Sequence, residues 1–213
     1  MSKRNIIRIA ILISLYALIF EGYIYYKQHA VDYIRVKNFD NINGSFSIGK
    51  QTAKNTLEII ESPTCIHCQA WNKNILPEIK KKYVDTGKLK IIFHDIPMDN
   101  AGVFAVSLIN CVPKEQKEIV HEKLLSSFQD WAMQPSEIEI QNNIIKNSGL
   151  TDNINKIKEC MLSQDTKEKI GNERSQLLTL YNLKATPTFI TIPYVYTGYT
   201  DENSKKIQKY LDK

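Results

Sequence analysis

Two cysteines three residues apart, Cys65 and Cys68, stand where a short apolar run gives way to a helical one. Leu57-Glu58-Ile59-Ile60 reads as a strand, Ser62-Pro63-Thr64 breaks it, and helical spacing begins near Cys65. The chain must therefore bring a strand into a helix with a thiol at the junction. A sulfur there faces backbone N–H groups that have no intrahelical partner and the positive end of the helix dipole. Both favour the thiolate, which makes Cys65 the candidate attacking and attacked sulfur. Cys68, one turn deeper, is the candidate resolving sulfur. The C-x-x-C spacing by itself also fits half a zinc site or chance; the strand–helix junction is what sharpens it.

Between the cysteines lie Ile66 and His67. His67 is a candidate for stabilising the Cys65 thiolate by charge or hydrogen bond; otherwise it is an exposed helix residue without a role. The helix runs towards Tyr83 with Trp71, Ile75 and Ile79 at helical spacing, and Pro77 should kink it. Leu89–Phe93 is a second strand. From Ala101 to about Ser175 the pattern is helical throughout, broken at Pro113, Pro135 and Gly149. Thr188–Ile192 returns as a strand directly after Thr186-Pro187, Tyr194–Tyr196 is its hairpin partner, and Ser204–Leu211 is a final helix. Pro187 cannot donate to a sheet. It heads its strand either as an ordinary trans proline or through a cis Thr186–Pro187 bond that makes a tight turn. The order of elements predicts an α/β layer structure with a helical block inserted at about 101–175.

The N-terminus predicts export. Lys3, Arg4 and Arg8 precede an unbroken apolar or small run from Ile9 to Phe20, the pattern of a secretory signal. Residues 1–26 are expected to be a cleaved signal or a retained membrane anchor, 27–45 a linker or stalk, and 46–213 the folded domain. Of the net charge of +5, the first 26 residues supply two, from three basic residues and Glu21. The remaining +3 is too little to suggest a nucleic-acid partner. Four cysteines behind an export signal permit disulfides.

The segments S-P-T-C-I-H-C, W-x-x-x-I-L-P-E-I-K-K-K-Y, K-L-K-I-I-F-H-D-I-P-M-D and L-K-A-T-P-T-F-I together resemble the DsbA-like branch of the thioredoxin superfamily, most strongly at Ser62–Asp99 and Leu183–Ile190. The resemblance implies a thioredoxin fold with an inserted helical domain. It implies a cis Pro187 lying against the active disulfide, and a Thr186 whose backbone binds extended substrate. It implies a periplasmic oxidoreductase that donates a Cys65–Cys68 disulfide to exported protein thiols and is reoxidised by a membrane quinone-linked thiol oxidase. No cofactor or metal is expected, and a monomer is. The family usually carries a buried acid six residues before the first cysteine; that position here is Ile59. Glu58 and Glu61 flank it, Glu61 with the same strand parity, and the sequence assigns the proton-carrying role to neither.

Cys111 and Cys160 lie in the helical block. They read as a structural disulfide, against the alternatives of two buried thiols or a zinc site with Cys65 and Cys68, whose paired spacing is missing. His94 reads as a surface or strand-end residue, His29 and His121 as solvated, and Trp131 as packing in the helical block. Two other functions compete with disulfide donation: a reductase or isomerase using the same chemistry, and a membrane-tethered binding protein that keeps the fold without catalysis.

Overall fold

The computed structural model describes residues 13–23 and 44–212. Residues 13–23 form a helix, α1, exposed along its described length. Among the described residues no helix is long and apolar enough to cross a membrane. The rest of the expected signal or anchor, nearly all of the expected linker, and His29 lie outside the described residues.

From residue 44 onward the order is β1 (Phe46–Ile48), β2 (Asn55–Glu61), α2 (Ile66–Asn74), α3 (Leu76–Ile79), a π-helical turn (Lys80–Val84) and β3 (Leu89–Asp95). Six helices follow: α4 (Asn100–Cys111), α5 (Lys114–Ser126), α6 (Phe128–Ala132), α7 (Glu137–Ser148), α8 (Ile154–Leu162) and α9 (Gln164–Leu180). The chain closes with β4 (Thr188–Thr191), β5 (Tyr194–Thr197) and α10 (Asp201–Leu211). The five strands form one sheet in the order β1-β3-β2-β4-β5. β2 and β3 pair in parallel and the other neighbours are antiparallel. The helices between β3 and β4 are the inserted block.

β1 has no counterpart in the sequence reading, because three residues are too few for a periodicity to show. Gly49, just after it, has φ of +89°, and a Cβ there would collide with the Leu89 carbonyl. Pro77 does interrupt the helix after the cysteines. α2 ends at Asn74, and Pro77 sits in the first turn of α3, where its missing N–H costs nothing.

Alternation along the strands divides the core. Leu57, Ile59, Ile91 and Phe93 face one way, onto Trp71 and a core continuous with the helical block. Ile60 and Ile190 face the other way, onto Leu177 and Tyr181 of the α9 side. Trp131 is fully buried, and its indole N–H donates to the Leu124 carbonyl at 2.8 Å. In place of a separate globule, the block extends the core on one face of the sheet. That brings α5 against the sheet next to the end of β2.

Candidate active site

Cys65 is the N-cap of α2, with extended backbone angles, and its sulfur accepts from the Cys68 backbone N–H at 3.4 Å. The strand parity of β2, the break at Ser62-Pro63-Thr64 and the start of α2 combine to leave this sulfur half-buried, and Cys68 fully buried one turn on. Both are free thiols. The Cys65 pKa falls from an ordinary 9.0 to about 5. The chief cause is the hydrogen bond with the Cys68 thiol; the Thr186 side chain and the backbone N–H groups of Cys68 and His67 add to it, and partial burial opposes them. Burial drives Cys68 the opposite way, strongly upward, helped by its hydrogen bond to Cys65 and the charge of Glu61. Two thiols three residues apart are thus separated into an ionised, reachable sulfur and a neutral, enclosed one.

The Thr186–Pro187 bond is cis, Pro187 is buried, and the Thr186 carbonyl accepts from the Cys65 sulfur at 3.3 Å. Residues 121 positions apart in sequence therefore meet at the reactive sulfur. The Thr186 hydroxyl donates to the Met98 sulfur at 3.1 Å, and Met98 and Ile66 are exposed apolar side chains. His67 is exposed, and its imidazole makes no hydrogen bond among the described residues. Its contribution to the thiolate is its backbone N–H. Cys111, at the end of α4, is bonded to Cys160 of α8 with their Cα atoms 5.8 Å apart. This pairing disposes of the four-cysteine zinc site.

Beneath the dithiol lies a polar cluster that the sequence reading missed. β2 and β3 run in parallel with Glu61 opposite Asp95, so two acidic side chains stand side by side on one face. His121, expected to be solvated, is 1% exposed. It projects from α5 onto this pair, its Nε2 2.9 Å from Glu61 Oε1 and 3.3 Å from Asp95 Oδ1. The other Glu61 oxygen accepts from the Asn72 side chain, which also donates to the Cys68 carbonyl. Burial raises the Glu61 pKa, against the pull of His121. Burial alone would lower His121, but Asp95 and Glu61 carry it up to about 10. His94, expected at the surface, is buried too. It faces the opposite side of the sheet, its Nε2 3.4 Å from the Glu58 carboxylate, which accepts from the Tyr181 hydroxyl. Both histidines misled for one reason. A histidine in a helix of mixed polarity or at a strand end is buried only if a distant acid lies above it, and no local pattern carries that. The parity of Glu61 was the available signal.

A dithiol split into a half-buried thiolate and a fully buried thiol, at the head of a helix fed by the central strand of a mixed sheet, with a cis-proline loop against the thiolate, defines a thioredoxin-fold dithiol protein. A family model described as thioredoxin matches residues 41–213, and the chain belongs to that family. It is 27% identical over 183 residues to disulfide bond formation protein D of Bacillus subtilis, covering 80% of this chain and 79% of the relative. A relative in Rickettsia prowazekii with a provisional protein-disulfide oxidoreductase name is 26% identical over 163 residues. That match covers 75% of this chain, which spans only 59% of the relative's length. Among solved structures, oxidised BdbD of Bacillus subtilis superposes with a TM-score of 0.68 at 21% identity, covering 84% of this chain and 99% of the other. The α-DsbA1 protein of Wolbachia pipientis does so with 0.66 at 24% identity, covering 78% and 88%. The expected thioredoxin-superfamily membership and α/β thioredoxin fold are borne out, and the fold is the one these DsbA-type structures share.

Proposed function

We propose that this chain is an exported, periplasmic protein-disulfide oxidoreductase that donates a Cys65–Cys68 disulfide to cysteines of exported proteins. The observation that carries the reading is the placement of the two sulfurs, Cys65 at the N-cap of α2 against the Thr186–Pro187 loop and Cys68 enclosed behind it, which draws the Cys65 pKa down to about 5 and pushes Cys68 up. Stabilising one thiolate stabilises the reduced dithiol at neutral pH, so the disulfide is given away readily. A substrate thiolate attacks Cys65 Sγ, the Cys65–Cys68 bond breaks, and a mixed disulfide forms. Cys68 leaves as a thiolate in a site that disfavours its charge and takes a proton; Glu61, buried beside it with a raised pKa, is suited to give one. A second substrate thiolate then attacks the substrate sulfur of the mixed disulfide. Product leaves, and Cys65 departs as its stabilised thiolate. Two electrons pass from the substrate sulfurs to the protein; one of the two substrate protons ends on Cys68 and the other in solvent.

The basic and apolar N-terminus supports export by signal or anchor. The geometry at Thr186–Pro187 supports an extended substrate beside Cys65, and the exposed Ile66 and Met98 suit it to unfolded chains with little sequence preference. By analogy with the family, the reoxidant is a membrane quinone-linked thiol oxidase and the working form a monomer. Equilibration with glutathione tests the direction: a potential near −120 mV marks an oxidant, one near about −270 mV a reductant. Incubation with a reduced, unfolded two-cysteine protein should give its disulfide. Cys68→Ser should accumulate the mixed disulfide, and Cys65→Ser should be inert. A protein that does not exchange, or that equilibrates as a strong reductant, would overturn the reading.

A further inference from the structure

Glu61 and Asp95 share a face as direct partners in a parallel ladder, and neighbouring strands run only about 5 Å apart. Both are buried, and neither Asp95 oxygen accepts a hydrogen bond among the described residues. Two buried carboxylates this close cannot both ionise without a cation between them. The cation comes from the inserted block: Nε2 of His121 lies within ion-pair distance of both. The Phe46 and Phe93 rings pack against the imidazole and hold it there. We infer that His121 is a positioning residue for proton transfer at Cys68: its imidazolium offsets the Asp95 charge, and so decides at what pH Glu61 is ionised and able to take the Cys68 proton when the disulfide is remade. This rests on the oxidoreductase reading and adds to it that the helical block takes part in the chemistry.

The balance of charge makes the idea specific. With Glu61 ionised, one imidazolium faces two carboxylates, a net charge of −1. His121→Gln leaves −2, so Glu61 would hold its proton to higher pH. Asp95→Asn leaves zero and works the other way. The double variant restores −1. The other groups facing the cluster are few. From α2 come the Cys68 thiol and the neutral Asn72 amide. From α5, one turn before His121, comes Lys117, which donates to the Ser45 carbonyl and lies in the field of Asp95 and of Lys169 and Glu173 on α9. Glu118 and Glu122 of α5 pair with Lys80 instead. β1 contributes only Phe46. The Glu61–His121 contact has the length of an N–H···O bond, and Asn72 takes the second Glu61 oxygen; the arrangement suits a shared proton better than a metal ion.

When the reduced protein is reoxidised, Cys68 must lose its proton to attack the mixed disulfide on Cys65. The attack leaves Cys65–Cys68 bonded and expels the oxidant's thiolate, while the Cys68 proton passes to Glu61. The test is stopped-flow reoxidation by hydroxyethyl disulfide across pH, at oxidant concentrations where this closing step limits the rate. In the full-length wild type the rate should fall on the acid side as Glu61 becomes protonated. In His121→Gln that limb should move up by at least about one pH unit, a tenfold slower closure on its slope. In Asp95→Asn it should move down, and in His121→Gln/Asp95→Asn it should return towards wild type. The Cys65 thiolate absorbance midpoint should stay put in all of them. A merely structural His121 would slow closure at every pH alike, with no rescue by the second substitution. Should His121→Gln fail to fold, Asp95→Asn alone still tests the inference, because its limb must lie below that of the wild type. Limbs that coincide, a double variant no better than the single, or stoichiometric zinc retained by the wild type and lost in His121→Gln would each overturn the inference. A wild type with a low Cys65 pKa and active exchange, together with variants whose limbs do not move from its own, would sink this inference alone. A wild type that does not exchange would sink the oxidoreductase reading beneath it.

Discussion

Removing charge from Cys65 by lowering the pH should weaken the reduced protein and leave the oxidised protein largely indifferent. The thiol pKa falls from 9.0 to about 5 on folding. A depressed folded-state pKa contributes stability that is complete above the unfolded value, about pH 9, and lost as the pH drops through the folded value, about 5. Four units correspond to about 5 kcal/mol. Cys65 is only partly buried, and screening at such a site cuts the contribution to about 2–3 kcal/mol. At pH 7 only the lower half of the window counts, because the unfolded thiol is still protonated there. Reduced protein should therefore lose about 1–2 kcal/mol relative to oxidised protein between pH 7 and pH 5. Urea unfolding of both redox forms at the two pH values measures the difference, and thiolate absorbance of the reduced form locates the midpoint directly. A midpoint above about 7 would refute the reasoning, as would a gap between redox forms that does not change with pH. Because the largest lowering cause is the hydrogen bond from Cys68, Cys68→Ala should raise the midpoint more than His67→Ala, whose imidazole has no partner among the described residues.

Replacing Cys111 and Cys160 by alanine opens a loop of 49 residues; chain entropy sets the loss at about 4 kcal/mol at most, a fall in Tm of order 10 °C, while the Cys65 thiolate midpoint should not move. Trp71→Ala empties a fully buried site against Phe189 and should cost about 3–5 kcal/mol in denaturant unfolding. Gly49→Ala, at positive φ with its Cβ against the Leu89 carbonyl, should cost more than about 1 kcal/mol, whereas Gly171→Ala, in the open middle of α9, should be neutral or stabilising by the same assay.

The dithiol and its helix were legible because every cue is local. Cys65 and Cys68 are one turn apart, Ser62-Pro63-Thr64 ends a strand of apolar residues, and the group that stabilises the thiolate most, the Cys68 thiol, with the backbone N–H groups of Cys68 and His67 after it, belongs to the same turn that Cys65 caps. Thr186-Pro187 announced a turn ahead of a strand, although its meeting with Cys65 across 121 residues came into view only through family resemblance. His121, Glu61 and Asp95 could not be read this way. Each belongs to a different element, and what joins them is the parallel register that sets Glu61 beside Asp95 and the packing of α5 across the end of that pair. A sequence records which side chains can ionise and which face of their own strand or helix they occupy. Whether a histidine 60 residues from an acid is solvated or fully enclosed depends on which helix the core draws over the sheet, and that is settled by the burial of Phe46, Phe93, Val120 and Leu124 together. The reactive sulfur was therefore written into a few consecutive residues, while the groups placed to manage its partner's proton exist only once the inserted helices have folded onto the sheet.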